Sequence, residues 1–120
     1  MTRTALIVDD HPSFRRFARR LLEAAGYVVV GDAGDGASAL AAVRKLRPDL
    51  VLLDVLLPDT TGFEVARALA AGPEQPLVVL TSSRSAADLG GLSGRDDAAG
   101  FIPKSELTVA AVEALVGEAA

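Results

Sequence analysis

The sequence contains no cysteine. That absence excludes disulfides, thiolate catalysis and cysteine-based zinc sites, and it fits a reducing, cytoplasmic setting. A single histidine rules out a histidine-rich metal centre. No apolar run approaches the roughly 20 residues of a membrane-spanning helix. The N-terminal Met1-Thr2-Arg3-Thr4 leads into a strand-like run without the apolar stretch of a signal peptide. No Lys/Arg-rich run stands out beyond one helix face, and the formal net charge is −4. Neither membrane contact nor direct nucleic-acid binding by this chain is expected, since phosphate neutralisation needs a basic patch.

What is present is a set of aspartates at the ends of apolar runs. Asp9 and Asp10 follow Ala5-Leu6-Ile7-Val8, and Asp54 follows Leu50-Val51-Leu52-Leu53. Each run reads as a fully buried strand. A carboxylate at the end of such a strand lies at the rim of the sheet. If the two strands are parallel neighbours, the three acids meet at one edge. Like charges that close raise one another's pKa unless a cation or a basic side chain joins them. The pattern therefore predicts a cation site.

Half of the 120 residues are hydrophobic, enough for one domain over 1–120 with a substantial core. Strand-like and helix-like segments alternate. Strands are expected near Ala5–Val8, Val28–Val30, Leu50–Leu53, Leu77–Leu80 and Gly100–Ile102. Helices are expected over Pro12–Ala25, from about Gly36 to Leu46, from Thr61 to Ala71 and from Glu106 to Val116. Pro12 suits a first helical turn, Gly26 a helix end, Asp35 an N-cap, and Thr61-Gly62-Phe63-Glu64 a capping box. Phe14, Phe17, Leu21 and Leu22 mark the inner face of the first helix, with Arg15, Arg16, Arg19 and Arg20 on its solvent side. Ala110, Ala111, Ala114 and Leu115 mark the inner face of the last. A further helix is expected between Thr81 and Gly100, short or irregular because Gly90, Gly91 and Gly94 fall in it. This alternation predicts an α/β fold: a doubly wound, five-stranded parallel sheet in the flavodoxin-like order 2-1-3-4-5, helices on both faces. Ligands of such sheets bind outside the carboxyl ends of the strands, at the switch in strand order. Here that switch separates the strands that carry the acids. Thr81 and Lys104 end the fourth and fifth strands at the same rim.

Four fragments in order, each at a strand end, resemble the receiver domain of bacterial two-component response regulators. They are Asp9-Asp10, Asp54-Val55-Leu56-Leu57-Pro58-Asp59-Thr60-Thr61-Gly62, Thr81-Ser82 and Gly100-Phe101-Ile102-Pro103-Lys104. The resemblance covers almost the whole chain. It implies that Asp54 accepts a phosphoryl group from a histidine kinase or phosphotransfer protein. The chain would catalyse only its own phosphorylation and dephosphorylation. It further implies a Mg²⁺ ion held by Asp10, Asp54 and the Leu56 backbone carbonyl, with Asp9 acting through water. Lys104 would pair with the phosphoryl group, and Thr81 and Phe101 would act as switch residues. The arginines of the first helix read either as a solvated face or as the surface on which the kinase docks.

Departures from the family pattern carry their own expectations. Ser105 follows Lys104 where many receivers have proline, a variant similar to receivers joined to LuxR-type helix-turn-helix outputs. No such output is present in these residues. Leu56 and Ser83 lie two residues after Asp54 and Thr81, where the family tunes hydrolysis. Neither can orient an attacking water, so slow autodephosphorylation is expected. The alternative is a receiver-like interaction module that works without phosphate, for which the full acid set is unneeded. A metal-dependent phosphohydrolase would need its second acid two residues after the nucleophile, where Leu56 stands. A flavodoxin would need a hydroxyl-rich loop after the first strand, where Asp9-Asp10-His11-Pro12 is acidic.

Overall fold

In a computed structural model that describes residues 3–84, 88 and 97–119, strands and helices alternate along the chain. The elements are β1 (Arg3–Val8), α1 (Pro12–Ala24), β2 (Tyr27–Ala33), α2 (Gly36–Leu46), β3 (Leu50–Asp54), α3 (Gly62–Ala71), β4 (Leu77–Ser82) and β5 (Gly100–Pro103). A 3-10 turn over Lys104–Glu106 then leads into α4 (Val109–Ala119). The strands form one sheet in the order β2-β1-β3-β4-β5, and every pairing is parallel. That is the architecture the sequence predicts.

The apolar strand runs explain the two-sided burial. All five residues of β3 are buried. Alternate residues feed two separate cores, because successive side chains point to opposite faces. Ala5, Ile7, Leu50, Leu52, Val79 and Ile102 pack with Ala18 and Leu22 of α1 and Val112 and Val116 of α4. Leu6, Val8, Val51, Leu53, Val78 and Leu80 pack with Ala39 and Val43 of α2 and Val65, Ala66 and Leu69 of α3. Among the described residues, two helices thus cover each face.

Local chemistry sets the element ends. Pro12 opens α1, and Gly26 closes it at φ +93, a conformation costly for any residue with a Cβ. The Asp35 side chain accepts from Ser38 N at 2.7 Å and caps α2. Thr61 Oγ1 accepts from Glu64 N at 3.2 Å and caps α3.

The structure corrects four expectations. First, β2 runs to Ala33 rather than Val30. The register slips between Ala5 and Leu6, so Val30 forms a bulge and pairing resumes at Gly31. Second, α4 begins at Val109, because Lys104–Glu106 winds as a tighter 3-10 turn first. Its deeply buried residues are Val112 and Val116, while Ala110 and Ala114 are exposed. Third, Phe17 is half exposed, and the inner face of α1 is carried by Ala18 and Leu22. Fourth, Arg15 and Arg19 are not free on the solvent side of α1. Arg15 Nη1 donates to the Asp9 carbonyl and its Nε lies 3.8 Å from Asp32 Oδ1. Arg19 Nη1 donates to the Val29 carbonyl at 3.4 Å. Arg16 and Arg20 remain exposed. The glycine-rich fourth helix expected between Thr81 and Gly100 falls mainly on 85–87 and 89–96, outside the described residues. No helix among the described residues is long and apolar enough to cross a membrane.

Gly62 lies where the loop after β3 packs against the strand's own backbone. A Cβ there would lie 2.5 Å from the Asp54 carbonyl oxygen and 3.0 Å from Val55 Cα, both backbone atoms that cannot swing away. Gly62→Ala is expected to destabilise the protein by about 1–3 kcal/mol, the usual cost of overpacking. Urea unfolding of the variant against the parent measures it.

Candidate functional site

Parallel register brings four strand ends to one rim. Asp9 follows β1 and extends its ladder, with its N–H donating to the Ala33 carbonyl at 2.9 Å. Asp54 ends β3 and is the register partner of Thr81 on β4. Thr81 in turn pairs with Ile102 on β5, and Lys104 follows that strand directly after Pro103. Asp9, Asp54 and Thr81 are buried, while Asp10 is exposed.

Lys104 reaches back across this rim. Its Nζ lies 2.6 Å from Asp9 Oδ2 and 3.3 Å from Asp54 Oδ2. The Phe14 ring of α1 covers the ammonium, with its centroid 4.3 Å from Nζ. A cation over an aromatic face gains electrostatic attraction while it is shielded from water. The opposite oxygens of the two acids face backbone N–H groups. Asp9 Oδ1 accepts from His11 N at 2.8 Å, and Asp54 Oδ1 accepts from Leu56 N at 3.2 Å.

The two buried carboxyls differ in their proton affinity. Burial pushes Asp54 up to about 6; the Lys104 charge offsets part of that rise and the Asp9 charge adds to it. Burial also opposes ionisation at Asp9. There the close Lys104 ammonium and the His11 amide outweigh it and hold the carboxyl below its ordinary value. Asp9 is thus the fixed charge of the pair, and Asp54 the one poised to gain or lose it.

The loop after Asp54 is anchored on three sides. Gly62 N donates to the Val55 carbonyl at 2.7 Å, and Leu57 N donates to the Thr60 carbonyl at 3.1 Å. The Asp59 carboxylate accepts from Gly36 N at 2.8 Å and Ala37 N at 3.1 Å, which lowers its pKa and ties the loop to the start of α2. The Leu56 carbonyl, expected as a metal ligand, belongs to this anchored loop.

Donor atoms of Asp9, Asp10, His11 and Asp54 all lie within 4.8 Å of one another. Three carboxylates against one ammonium leave two negative charges at the rim, the deficit that one divalent cation fills. Oxygen donors of this kind suit Mg²⁺. Thr81 Oγ1 is buried and has no hydrogen-bond partner among the described residues. A buried hydroxyl left unpaired is costly, and such a group in a native structure points to a partner in another state. Phe101 is half-buried, pairs in register with Leu80, and packs against the core on that residue's face of the sheet.

The expected site residues Asp9, Asp10, Asp54, Thr81 and Lys104 therefore come from four strand ends. Sequence reasoning missed the place of His11 beside the acids, the Phe14 cover on Lys104 and the Asp59 clamp. Adjacency to Asp9-Asp10 is the one signal that points to His11. The partners of Phe14 and Asp59 are 90 and 23 residues away in the chain and left no local trace.

Comparison with known proteins identifies the family and the fold. Residues 5–115 match the response regulator receiver domain family, and the chain belongs to that family. It is thus a receiver domain of the kind found in two-component signalling. It is 45% identical to the DNA-binding response regulator MtrA of Mycolicibacterium smegmatis over 101 residues, covering 81% of this chain and 43% of that protein. The chain spans about half the length of the curated relatives it matches. Among solved structures it resembles the signal receiver domain of the putative response regulator NarL from Mycobacterium tuberculosis. That likeness has a TM-score of 0.79 and 32% identity, covering 97% of this chain and 98% of that one. A LuxR-family two-component response regulator from Aurantimonas sp. matches with a TM-score of 0.83 and 31% identity, covering 98% of this chain and 87% of that one.

The Asp54 shift has a measurable consequence for stability. Its folded pKa lies above its unfolded value of 3.8, so folding favours the protonated acid. The stability this contributes is fully present below about pH 4 and is lost as pH rises through about 6. In chelator, Asp54→Asn is expected to remove that fall and to be more stable than the parent by about 1–3 kcal/mol near neutral pH. Urea unfolding across this range checks it; parallel pH profiles for the two proteins would show an ordinary carboxyl instead.

Proposed function

We propose that this receiver is a phosphorylation-controlled signalling switch in which Asp54 accepts a phosphoryl group from a histidine kinase or phosphotransfer protein. The observation that carries this reading is the Asp9–Lys104–Asp54 arrangement beside the unpartnered Thr81 hydroxyl. An Asp54 carboxylate oxygen forms a bond to phosphorus as the P–N bond to the donor imidazole breaks. The imidazole nitrogen keeps the bonding electron pair and takes up a proton. Phosphoryl transfer of this kind depends on positioning and charge neutralisation more than on covalent work by the protein. Asp10, Asp54 and the Leu56 carbonyl would hold Mg²⁺, with Asp9 acting through water, and the ion would supply neutralising charge.

Lys104 lies within reach of the Asp54 carboxylate and pairs with the phosphoryl oxygens in this reading. Thr81 donates its hydroxyl to another oxygen, satisfying an otherwise unpaired buried group. Phosphorylation adds about −1.5 to −2 charge at Asp54 and biases a two-state surface that includes Thr81 and Phe101. The partner kinase docks on α1 through Arg16, Arg20 and the half-exposed Phe17. Arg15 and Arg19 instead support the β1–α1 and β2 backbone. An interaction module independent of phosphate needs neither the lysine contact nor the paired acids.

Mass spectrometry after incubation with Mg²⁺ and a small acyl-phosphate donor tests the assignment. The parent is expected to gain one phosphoryl group, and Asp54→Asn none. Labelling that survives the substitution, or that never occurs in the parent, would overturn it. Leu56 and Ser83 are both exposed and lack an acid or amide to orient water. The phosphorylated parent is therefore expected to hydrolyse slowly, and Leu56→Asn to shorten its lifetime several-fold. Decay of the phosphorylated mass peak measures this.

A further inference from the structure

We infer that His11 is a nitrogen donor to the ion at this rim, which adds a preference for ions that accept imidazole nitrogen, such as Ni²⁺, to the carboxylate site. The inference rests on the proposed divalent-cation site and concerns which ion it selects.

His11 Nδ1 lies 3.0 Å from Asp10 Oδ1 and 3.1 Å from Asp9 Oδ1. Neighbouring donors around one octahedral ion, with bonds of about 2.1 Å, are themselves roughly 3 Å apart. The imidazole nitrogen and the Asp10 oxygen are therefore spaced like two adjacent donors to a single ion, with Asp9 Oδ1 beside them. The Asp54 donor lies within 4.8 Å of all three. The ring is also held in place. His11 N donates to Asp9 Oδ1 at 2.8 Å. Pro12 follows and restricts the His11 backbone, which sits in the extended region at φ −100 and ψ 111. Lys104 occupies the opposite side of the acids through their Oδ2 atoms, leaving the Oδ1 side of Asp9 to the imidazole.

Donor type then decides selectivity. Mg²⁺ prefers oxygen ligands and gains little from an imidazole. Mn²⁺ and Ni²⁺ accept imidazole nitrogen, and affinity at such sites rises from Mn²⁺ to Ni²⁺. A purely carboxylate rim lacks this added preference. His11 is exposed, so its replacement removes no core packing.

His11 is the sole histidine of the chain, so an imidazole signal from untagged protein has one source. The experiment is pulsed electron paramagnetic resonance of bound Mn²⁺ at mildly alkaline pH, where free imidazole is neutral. Calorimetric titrations with Ni²⁺ and Mg²⁺ accompany it. The parent is expected to show nitrogen-14 coupling to Mn²⁺, and His11→Gln to lose it. His11→Gln is also expected to weaken Ni²⁺ binding about tenfold or more while leaving Mg²⁺ affinity within about twofold. Bound Mn²⁺ without nitrogen coupling, or equal Ni²⁺ affinity in the two proteins, would overturn the role of His11 and leave the carboxylate site standing. Absence of any Mn²⁺ binding, or binding unchanged by Asp10→Asn, would overturn both the role of His11 and the cation site on which it rests.

Discussion

The ion pair between Lys104 and the two buried acids is the contact on which the rim depends. Asp9 and Asp54 share one ammonium through their Oδ2 atoms, at 2.6 and 3.3 Å. Without that charge, two buried carboxylates would face each other across neighbouring strands, and removing one partner of such a set leaves the rest uncompensated. The lysine can serve both only because β5 lies two strands away from β3 and its end turns sharply at Lys104 into a 3-10 turn. The longer unwound path before α4 follows from the same turn. Phe14 completes the arrangement from the far side, so α1, β1, β3 and β5 all converge on one ammonium.

This arrangement is incomplete in a way that suits a switch. One lysine cannot neutralise three carboxylates, and the Thr81 hydroxyl has no partner among the described residues. A core optimised for stability alone would carry neither feature. Asp54, not Asp9, bears the cost: its carboxyl is the one that burial raises, whereas Asp9 is held charged by its closer lysine contact and the His11 amide. Functional sites commonly break local rules that the rest of a fold obeys. Two residues of the same chemistry are thus set apart by a difference in environment.

Several contacts tie down the surroundings of the site. Asp59 clamps the loop after Asp54 to the first turn of α2, and Gly62 lets the same loop lie against the β3 backbone. Arg15 fixes the carbonyl of Asp9 from α1. These contacts hold the acids and the Leu56 carbonyl in place. The basic face of α1 is also divided: the half-buried Arg15 and Arg19 donate to backbone carbonyls, while Arg16 and Arg20 stay exposed.

Much of this protein was legible in the order of its residues. Four-residue apolar runs alternating with helical segments fit a parallel sheet buried on both faces, and a carboxylate after such a run lies at the rim. Periodicity, caps and turn residues therefore determined the strand order class, the helix starts at Pro12, Gly36 and Gly62, and the identity of the acids. What local pattern could not determine depends on contacts between distant segments. The bulge at Val30 reflects pairing with β1, the choice of Val112 and Val116 over Ala110 and Ala114 reflects where the 3-10 turn releases α4, and the inward turn of Arg15 and Arg19 reflects carbonyls on neighbouring strands. The same holds at the rim. The sequence determined that three aspartates would need a cation and placed Lys104 at their rim; only the tertiary structure decided that Lys104 bridges Asp9 and Asp54 under the Phe14 ring, because those distances are made between segments far apart in the chain.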